Sequence, residues 1–451
     1  MKLYKPRQAL YCQLMFNPKK LLILLEQYPQ SIFWVAYSGG LDSQVLLHAL
    51  SQLVPPSRLR AIHINHGWHS EAAQWADKCQ QTCTQLGIHS EVIAVDAQPK
   101  QGESPEAYAR QVRYAVMAER LGKGDCLLTA HHRDDQAETL LLQSLRGAGL
   151  RGLASMSEAI PFANGFLVRP LLQFTRAELQ AYAKTQQLTW IEDSSNTDLR
   201  FNRNFIRHQV LPLIQQRWPE ASKTLARVAE NAAEAHKLLE ELAYEDWIKV
   251  RDPQSNNILV SHLLDLTPAR RRNCLRYWLK QLHFPLPTQM QLQQIELLLE
   301  SKGDANPQVN WGGVQVRRYR DFLYPLILKE NKLPHLPIAW DLQQTVLPLP
   351  PLGFLMAERT QGQGISCERI KTESVTINFR QGGERFHVQG RLGSHPLKKL
   401  FQEWGVPPWQ RKKIPLIYYQ EQLIAVAGYG VNPSYLAKPH EQGYIIRLKS
   451  E

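Results

Sequence analysis

The first part of the chain alternates short apolar runs with stretches of helical periodicity. Residues 31–37 form a β-branched and aromatic run that is followed by a pair of glycines, a pattern typical of a buried strand. From Asp42 to Leu53, apolar residues then recur three and four positions apart until Pro55-Pro56 ends the pattern. The hydrophobic spacing therefore predicts a strand that is followed directly by a helix.

The same alternation continues further along the chain. The next strands are predicted at 59–65, 91–95 and 125–130. Helices are predicted after them, at 70–86, 104–121 and 134–146. Because strands that alternate with helices at this pitch form a parallel sheet, we expect a Rossmann-like α/β domain. Ligands of such a domain bind beyond the carboxyl ends of its strands.

Changes in pattern divide the rest of the chain. A loop rich in Ser, Asn, Asp and Arg is predicted at 192–207, a strongly amphipathic helix at 222–245, and further helices at 267–282 and 288–301. The last part alternates β-rich runs with glycine-rich turns around one helix at 396–404. We therefore predict a Rossmann-like parallel-sheet N-terminal domain at 1–217 and a mainly helical domain at 218–332. A linker or irregular segment follows at 333–369, and a small α+β C-terminal domain at 370–451.

Charge and cysteine usage narrow the partners and the compartment. The 451 residues include 53 Lys and Arg against 41 Asp and Glu, a formal net charge of +12. Such a balance suits a polyanion such as RNA, DNA or an anionic membrane, although solvated basic faces give the same balance. There is no apolar run of about 18 residues and no signal-peptide pattern, so we expect no membrane partner. The six cysteines are scattered, which is typical of a cytoplasmic protein.

A glycine-containing turn separates the first predicted strand from its helix. Its sequence is Ser38-Gly39-Gly40-Leu41-Asp42-Ser43. Paired glycines let backbone N–H groups approach an anion, the hydroxyls add donors, and a helix N-terminus favours negative charge. The turn is neither a Walker A loop nor a G-x-G-x-x-G fingerprint. It predicts a phosphate cradle, and the alternative is a plain glycine turn with Asp42 and Ser43 as helix caps.

A second chemical signature joins the strand that ends near residue 130 to the following helix. It reads His131-His132-Arg133-Asp134-Asp135-Gln136-Ala137-Glu138-Thr139. Asp135 and Glu138 are three positions apart and share a helical face, where two carboxylates can hold a divalent cation or a substrate ammonium. Stabilisation of the helix N-terminus is the alternative for the acids. The histidines can donate to phosphate, act as acid or base, or pack at the strand end.

Both signatures resemble known enzymes. The S-G-G-x-D-S turn resembles the pyrophosphate-binding loop of the N-type ATP pyrophosphatase superfamily, and residues 131–139 resemble the signature of tRNA(Ile)-lysidine synthetases. Other segments are similar to that family in the same order, although Trp68 stands where a smaller apolar residue is usual. These segments are His63-Ile64-Asn65-His66, the helix at 102–114 with Arg110 and Arg113, Arg169-Pro170-Leu171-Leu172, 190–198, 203–207 and, as in the long form of the family, 397–409.

The resemblance implies a ligase that acts on tRNA. It would use ATP and Mg²⁺ to adenylate C2 of the wobble cytidine in an isoleucine tRNA with a CAU anticodon. The ε-amine of free L-lysine would then form lysidine, with AMP and pyrophosphate released. The oligomeric state stays open between a monomer and a homodimer.

The resemblance also implies roles for individual residues. ATP would bind Ser38, Gly39, Gly40, Leu41, Asp42, Ser43 and His63. The catalytic residues would be Asp42, His131, His132, Asp135, Glu138 and Arg113. Lysine would bind Asp135 and Glu138, Mg²⁺ would bind Asp42, and nucleotide or tRNA would bind Arg110, Arg113, Asn196, Arg203 and Arg207.

Basic and aromatic residues alternate near the C-terminus. Between Arg380 and Lys413, only Glu384 and Glu403 oppose eight cations, and aromatic residues are interleaved with them. This pattern suits an RNA backbone and unpaired bases, or a solvated face over an aromatic core. The residues are Arg380, Arg385, Arg391, Lys398, Lys399, Arg411, Lys412, Lys413, Phe401, Trp404 and Trp409. A smaller candidate patch is Arg317-Arg318-Tyr319-Arg320.

Four other functions compete with this interpretation. A dinucleotide dehydrogenase would need a G-x-G-x-x-G after the first strand, and none follows it. A tRNA thiolase would need a catalytic cysteine pair, and Cys79 and Cys83 lack the C-x-x-C spacing. An amidating ligase would need a glutaminase-like nucleophile segment. A non-catalytic RNA-binding protein would not need the intact loop and the acidic signature.

Overall fold

The fold of residues 16–67, 71–96, 105–301, 307–328, 337–370 and 374–449 comes from a computed structural model. Cys12, Trp68 and the start of the predicted 102–114 helix lie outside these ranges. The chain divides into two compact units between Leu242 and Ala243. None of the helices in these ranges is long and apolar enough to cross a membrane.

A six-stranded sheet forms the centre of the first unit. Its strand order is β3-β2-β1-β4-β6-β5, and every pairing is parallel except that of β5 with β6. The strands are β1 Phe33–Ala36, β2 Leu59–Asn65, β3 His89–Ala94, β4 Cys126–Leu128, β5 Ala159–Phe162 and β6 Gly165–Val168. The predicted Rossmann-like parallel sheet is confirmed.

Helices follow the strands as the apolar spacing predicts. The bounds are α1 Leu22–Leu25, α2 Leu41–Ser51, α3 Ala72–Gln85, α4 Pro105–Ala118, α5 Arg133–Leu145, α6 Leu150–Leu153, α7 Arg176–Thr185, α8 Asn202–Phe205, α9 Leu211–Arg217 and α10 Ala221–Val250. The predicted loop at 192–207 is partly wrong, because α8 lies inside it and continues into a π-helical turn at Ile206–Val210. The division between the units falls within α10.

Successive residues of β1 point to opposite faces of the sheet, and both faces are buried. Phe33 and Val35 pack with α2 in one apolar cluster, whereas Trp34 packs with Ile62 and Met117 in another. A central strand of a parallel sheet is covered by helices on both sides, which explains its continuous apolar run. The polar residues that follow such strands are thereby held at the carboxyl edge.

The second unit combines helices with antiparallel sheets. Its first part contains α11 Val260–Leu264, α12 Pro268–Gln281 and α13 Gln289–Glu300, with β7 Ile258–Leu259, β8 Gln308–Trp311, β9 Val314–Tyr319 and β10 Phe322–Ile327. These four strands form a sheet in the order β7-β10-β9-β8. The region is therefore helical with an added sheet, on which Arg317, Arg318 and Tyr319 lie.

The remainder of the second unit is mainly β. Its elements are β11 Ile338–Asp341, β12 Val346–Pro348, β13 Phe354–Gln361, β14 Ile365–Ser366, β15 Ser374–Phe379, β16 Arg385–His387, β17 Ser394–Pro396, α14 Leu397–Glu403, β18 Pro415–Tyr419, β19 Gln422–Val426, β20 Gly430–Val431 and β21 Gln442–Lys449. The small α+β domain and its helix are confirmed. The expectation that 333–369 is irregular is wrong, since β11 to β14 pair with strands further along the chain or with each other.

Candidate active site

The turn after β1 presents the N-terminus of α2 at the carboxyl edge of the sheet. Gly40 is the N-cap residue and offers no side chain that would cap the helix. The Oγ atoms of Ser38 and Ser43 lie 3.0 Å apart, and Ser43 Oγ donates to Gly40 O at 3.0 Å. Hydroxyls and the first N–H groups of the helix therefore converge on one small region, as a phosphate cradle requires.

Gly39 holds a conformation that only glycine tolerates at this position. Its φ is +81°, and an added Cβ would lie 2.5 Å from Ile191 Cδ1 and 2.8 Å from Cys79 Sγ. The Ile191 N–H also donates to Gly39 O at 2.9 Å. The turn thus packs closely against two other segments, and Cys79 serves there as a small apolar neighbour.

The histidine–acid signature caps α5. The His132 N–H donates to Asp135 Oδ2 at 2.9 Å, and the Asp135 N–H donates to His132 Nδ1 at 3.4 Å. His132 Nε2 then faces Asp42 Oδ2 at 3.6 Å and Asp135 Oδ2 at 3.5 Å. One buried imidazole therefore links the phosphate-cradle turn to the acidic signature, which the sequence alone did not place in contact.

The two signature carboxylates are bound by two arginines. Asp135 Oδ1 accepts from Arg203 Nη2 at 2.9 Å and from Arg207 Nη2 at 2.8 Å. Glu138 accepts from the Nε atoms of Arg203 at 2.9 Å and of Arg207 at 2.6 Å. Glu138 is fully buried and Asp135 nearly so. The sequence predicted contacts of both arginines with nucleotide or tRNA, but in this structure their guanidinium groups hold the acids.

The charges of this cluster shift the pKa values of its members. Burial would lower the pKa of His132, but the nearby carboxylates of Asp135 and Asp42 raise it above its ordinary value. Burial would raise the pKa of Asp135, but His132 and Arg203 hold it well below its usual range. Asp135 is thus suited to hold a cation and is a weak base.

His131 differs from its neighbour. Burial, against a smaller opposing effect of Asp135, lowers the pKa of His131 to about 3, and nearby arginines including Arg203 add to this. Its Nδ1 lies 2.9 Å from Thr129 Oγ1. His131 is therefore a neutral imidazole near neutral pH, whereas His132 is the histidine that gains a proton more readily.

Asp42 carries an oxygen that suits a divalent cation. Its Oδ1 atom is buried and has no hydrogen-bond partner among the described residues. No group of three or more His, Cys, Asp or Glu side chains within those ranges is arranged to hold a metal ion by itself. Mg²⁺ commonly binds one or two carboxylates together with substrate phosphates, so Asp42 fits a nucleotide-bound Mg²⁺.

The other predicted site residues lie on β2, on α4 and in the segment before α8. His63 is buried at the end of β2, its Nδ1 lies 2.9 Å from Tyr37 O, and burial lowers its pKa. Arg110 is exposed on α4 and stacks over the Tyr114 ring at 4.9 Å, while Arg113 lies one turn further along α4. Asn196 is exposed, and its backbone carbonyl lies 2.8 Å from His208 Nε2.

Arg169 is a residue that sequence reasoning left without a role. It directly follows β6, is 5 % exposed, and donates through Nη1 to Ser157 O at 2.5 Å. The sequence offered two signals, its place in a segment that resembles the family and its position after an apolar run, at the edge where ligands of parallel sheets bind.

The predicted basic patch of the second unit is divided between surface and core. Phe401 and Arg411 do not face solvent: Phe401 is fully buried, and Arg411 donates to Val406 O at 2.8 Å and to the Tyr319 hydroxyl at 3.2 Å. The exposed cations are Arg385, Arg391, Lys398, Lys399, Lys412 and Lys413. Arg318 is also structural, since its Nη1 donates to the carbonyls of Leu299 and Ser301 at the end of α13.

Comparison with known proteins covers most of the chain. Residues 15–214 match the model of the PP-loop domain, 259–324 that of the TilS substrate binding domain, and 375–448 that of the TilS substrate C-terminal domain. The tRNA(Ile)-lysidine synthase of Coxiella burnetii is 44% identical over 98% of this chain and 98% of its own length. That of Alkalilimnicola ehrlichii is 41% identical over 91% of this chain and 92% of its own.

Among solved structures, the U34-tRNA thiolase NcsA from Methanococcus maripaludis with its [4Fe-4S] cluster is similar at 17% identity. It matches 48% of this chain and 77% of its own, with a TM-score of 0.40.

Proposed function

The chain belongs to the tRNA(Ile)-lysidine synthase family, and on that premise we propose that it is an ATP-dependent ligase that joins lysine to an isoleucine tRNA. The base it modifies is the wobble cytidine of a CAU anticodon, and the product is lysidine. The observation that carries this proposal is the position of His132, whose Nε2 lies 3.6 Å from Asp42 of the cradle and 3.5 Å from Asp135 of the acidic signature. Because one histidine contacts both, the nucleotide site and the amine site are adjacent. Adjacent sites suit a reaction in which ATP first activates the base and lysine then displaces AMP.

The reaction has two steps. The C2 carbonyl oxygen of cytidine attacks the α-phosphorus of ATP, and pyrophosphate leaves. The ε-ammonium of lysine releases a proton to water, and the resulting amine attacks C2. The bond from C2 to the adenylated oxygen then breaks, and AMP leaves with that oxygen. A cytosine carbonyl is a poor electrophile, so adenylation supplies the leaving group that the second step needs.

The cradle serves the first step. The N-terminus of α2, with the hydroxyls of Ser38 and Ser43, would bind the departing pyrophosphate. When bound, Mg²⁺ would be held by Asp42 and would offset phosphate charge. His131 is neutral, so it would offer a hydrogen bond rather than a charge near the reacting phosphate.

The acidic signature serves the second step. Asp135 and Glu138 would bind the ε-ammonium of lysine and orient the amine after it has lost its proton. A cavity of about 390 Å³ is lined by Glu138, Arg207 and Lys223 among others, and it is large enough for one amino acid. Asp135 lies behind this lining, where it shares Arg207 with Glu138. Because Arg203 and Arg207 already neutralise the acids, lysine would replace one or more of these contacts when it binds.

The remaining regions suit RNA and the cytoplasm. Exposed cations of the second unit, including Lys398 and Lys412, would contact the tRNA backbone. Burial raises the pKa of the Cys79 thiol to about 12 and that of Cys83 to about 11, so neither thiol provides the thiolate that sulfur transfer would need. The scattered cysteines are consistent with a reducing, cytoplasmic setting.

One experiment tests the proposed function. The full chain is incubated with ATP, Mg²⁺, labelled L-lysine and an isoleucine tRNA transcript with a CAU anticodon, and the wobble nucleoside is then analysed by mass spectrometry. The same transcript with a GAU anticodon is the control. We expect lysine incorporation only with CAU and pyrophosphate exchange into ATP that depends on the tRNA. An unmodified CAU wobble nucleoside would refute the proposal.

A further inference from the structure

Arg169 is a buried cation for which the described residues supply no carboxylate partner. The side chain leaves the carboxyl end of β6, the strand that pairs with β4 ahead of His131. Its Nε atom is buried and has no hydrogen-bond partner within the described ranges. The groups that act on its charge there are Tyr114 and the like-charged Arg110, with no carboxylate among them.

A buried, unpaired guanidinium is unfavourable for the fold. Taking a charge out of water is repaid only where an opposite charge or a full set of hydrogen bonds replaces the lost hydration. The hydrogen bond from Nη1 to Ser157 O satisfies part of the Arg169 side chain and leaves Nε unsatisfied. The missing partner is therefore an anion with acceptor oxygens.

The surroundings of Arg169 also favour an anion. Burial, together with repulsion from Arg110, lowers the pKa of Arg169, and both arginines contribute to the low pKa of His131. Arg110 is exposed on α4 whereas Arg169 is buried, so the two guanidinium groups place positive charge both at the surface and inside the protein. The planar fork of a guanidinium matches phosphate oxygens in two-point contacts.

We propose that Arg169 binds a phosphoryl group of the reacting substrates, beside His131 at the carboxyl edge of the parallel sheet. The identity of the anion rests on the proposed function, which brings two phosphates to this edge. One is the α-phosphate of ATP, and the other is the phosphodiester next to the modified base. The charge of the Arg169 guanidinium and its N–H donors thereby hold one reactant in place.

Equilibrium binding to the full chain tests this role without turnover. The variants are Arg169→Gln, Arg169→Lys and, as a control, Arg146→Gln on an exposed arginine at the end of α5. Affinities for ATP, adenosine and tRNA are measured without lysine. We expect Arg169→Gln to weaken either ATP or tRNA binding about tenfold, Arg169→Lys to weaken it less, and adenosine binding to stay unchanged.

The pattern of losses identifies the phosphate. A loss confined to ATP assigns the nucleotide phosphate. A loss confined to tRNA, with the salt dependence of tRNA affinity reduced by about one phosphate contact, assigns the phosphodiester. These measurements form no product, so they are independent of the lysidine assay. If the parent chain bound both ligands but made no lysidine, the proposed function would be refuted and the role of Arg169 in binding would remain.

Three results would overturn the inference. In the first, Arg169→Gln binds both ATP and tRNA as tightly as the parent chain does. In the second, it loses as much affinity for adenosine as for ATP. In the third, both affinities are normal and only the lysine concentration needed for half-maximal transfer rises. If Arg169→Gln does not fold, as judged by its urea unfolding curve, the same three criteria apply to Arg169→Lys, which keeps the charge.

Discussion

Arg203 Nη2 lies 2.9 Å from Asp135 Oδ1, and the Nε atom of the same guanidinium lies 2.9 Å from Glu138 Oε2. One arginine therefore bridges the two carboxylates that are proposed to hold lysine. An ammonium and a guanidinium carry the same charge and bind the same oxygens. The arginines thus hold the two side chains close together, and lysine must compete with them.

Asp135→Asn tests the amine site. Asparagine keeps the shape of the side chain but removes the charge that attracts an ammonium, so we expect lysine transfer to fall about 100-fold while ATP and tRNA affinities stay near normal. Loss of one partner of a buried pair should also cost about 3 kcal/mol in the free energy of unfolding. Lysine incorporation and urea unfolding measure the two effects.

The control for Asp135→Asn is Glu178→Gln. Glu178 occupies the same capping-box position of α7 that Asp135 occupies in α5. The change in the free energy of unfolding of Glu178→Gln therefore measures what a neutral side chain at this position costs the helix cap. Glu178→Gln should lower stability modestly and leave lysine transfer unchanged. Full lysine incorporation by Asp135→Asn would remove the role assigned to Asp135.

The parallel sheet and the position of both signatures were predictable because they depend on local patterns. Buried strands are continuous apolar runs, and the glycine turn at Gly39-Gly40 and the acids at Asp135 and Glu138 stand directly after such runs. Local periodicity also gave α10 and the helix at Leu397–Glu403.

Long-range pairing was not predictable from local patterns. Arg203 lies 68 positions from Asp135, and sequence spacing does not show that they meet. The same limit explains the error at 333–369. β13 pairs along its whole length with β21, from Phe354 opposite Lys449 to Gln361 opposite Gln442, so its strand character depends on residues at the far end of the chain.

Gly39→Ala tests the shape of the phosphate cradle. The added methyl group would clash with Ile191 and Cys79 at a positive φ, so the turn must move away from its neighbours. We expect ATP binding to fall at least about tenfold, which corresponds to about 1.4 kcal/mol. Titration calorimetry with ATP measures this loss.

Gly147→Ala is the matched control for Gly39→Ala. Gly147 has a φ of +67°, but an added Cβ would meet no atom within 4 Å. The Gly147→Ala variant should be destabilised by a similar backbone strain of about 1 kcal/mol and should keep its ATP affinity. Equal ATP affinities in the two variants would show that the turn after β1 does not bind the nucleotide.

The adjacent histidines should change stability with pH in opposite directions. The pKa of His132 is raised above its ordinary value of 6.5, so its stabilising effect is complete below that pH and is lost as the pH rises through the folded value. The pKa of His131 is lowered to about 3, so the unfolded chain binds a proton first and stability falls as the pH drops below 6.5.

Unfolding of two variants in urea at about pH 5 and about pH 8 separates these effects. His132→Asn keeps a good capping residue and should be more destabilised, relative to the parent chain, at the lower pH. His131→Gln should gain about 1–2 kcal/mol relative to the parent chain at the lower pH. A pH effect of the same sign in both variants would refute this assignment.

Trp409 supports the junction between the two parts of the second unit. Its ring lies 5.2 Å from that of Tyr324 and 6.2 Å from that of Tyr319, and the Arg317 guanidinium lies 5.1 Å from its centre. Trp409→Ala removes these contacts, so we expect a loss of about 3 kcal/mol in the free energy of unfolding. Trp218→Ala, which changes a 64% exposed tryptophan, should cost under about 0.5 kcal/mol.

Trp409→Phe separates packing from polar contacts at the same junction. The indole Nε1 of Trp409 is buried and has no hydrogen-bond partner in the part of the chain that the structure describes. Phenylalanine keeps a ring face for Arg317 and loses no hydrogen bond, so we expect it to retain at least about half of the stability that alanine loses. Urea unfolding of the three variants provides the comparison. If Trp409→Phe were as unstable as Trp409→Ala, edge-to-face ring contacts would not explain how this junction is held.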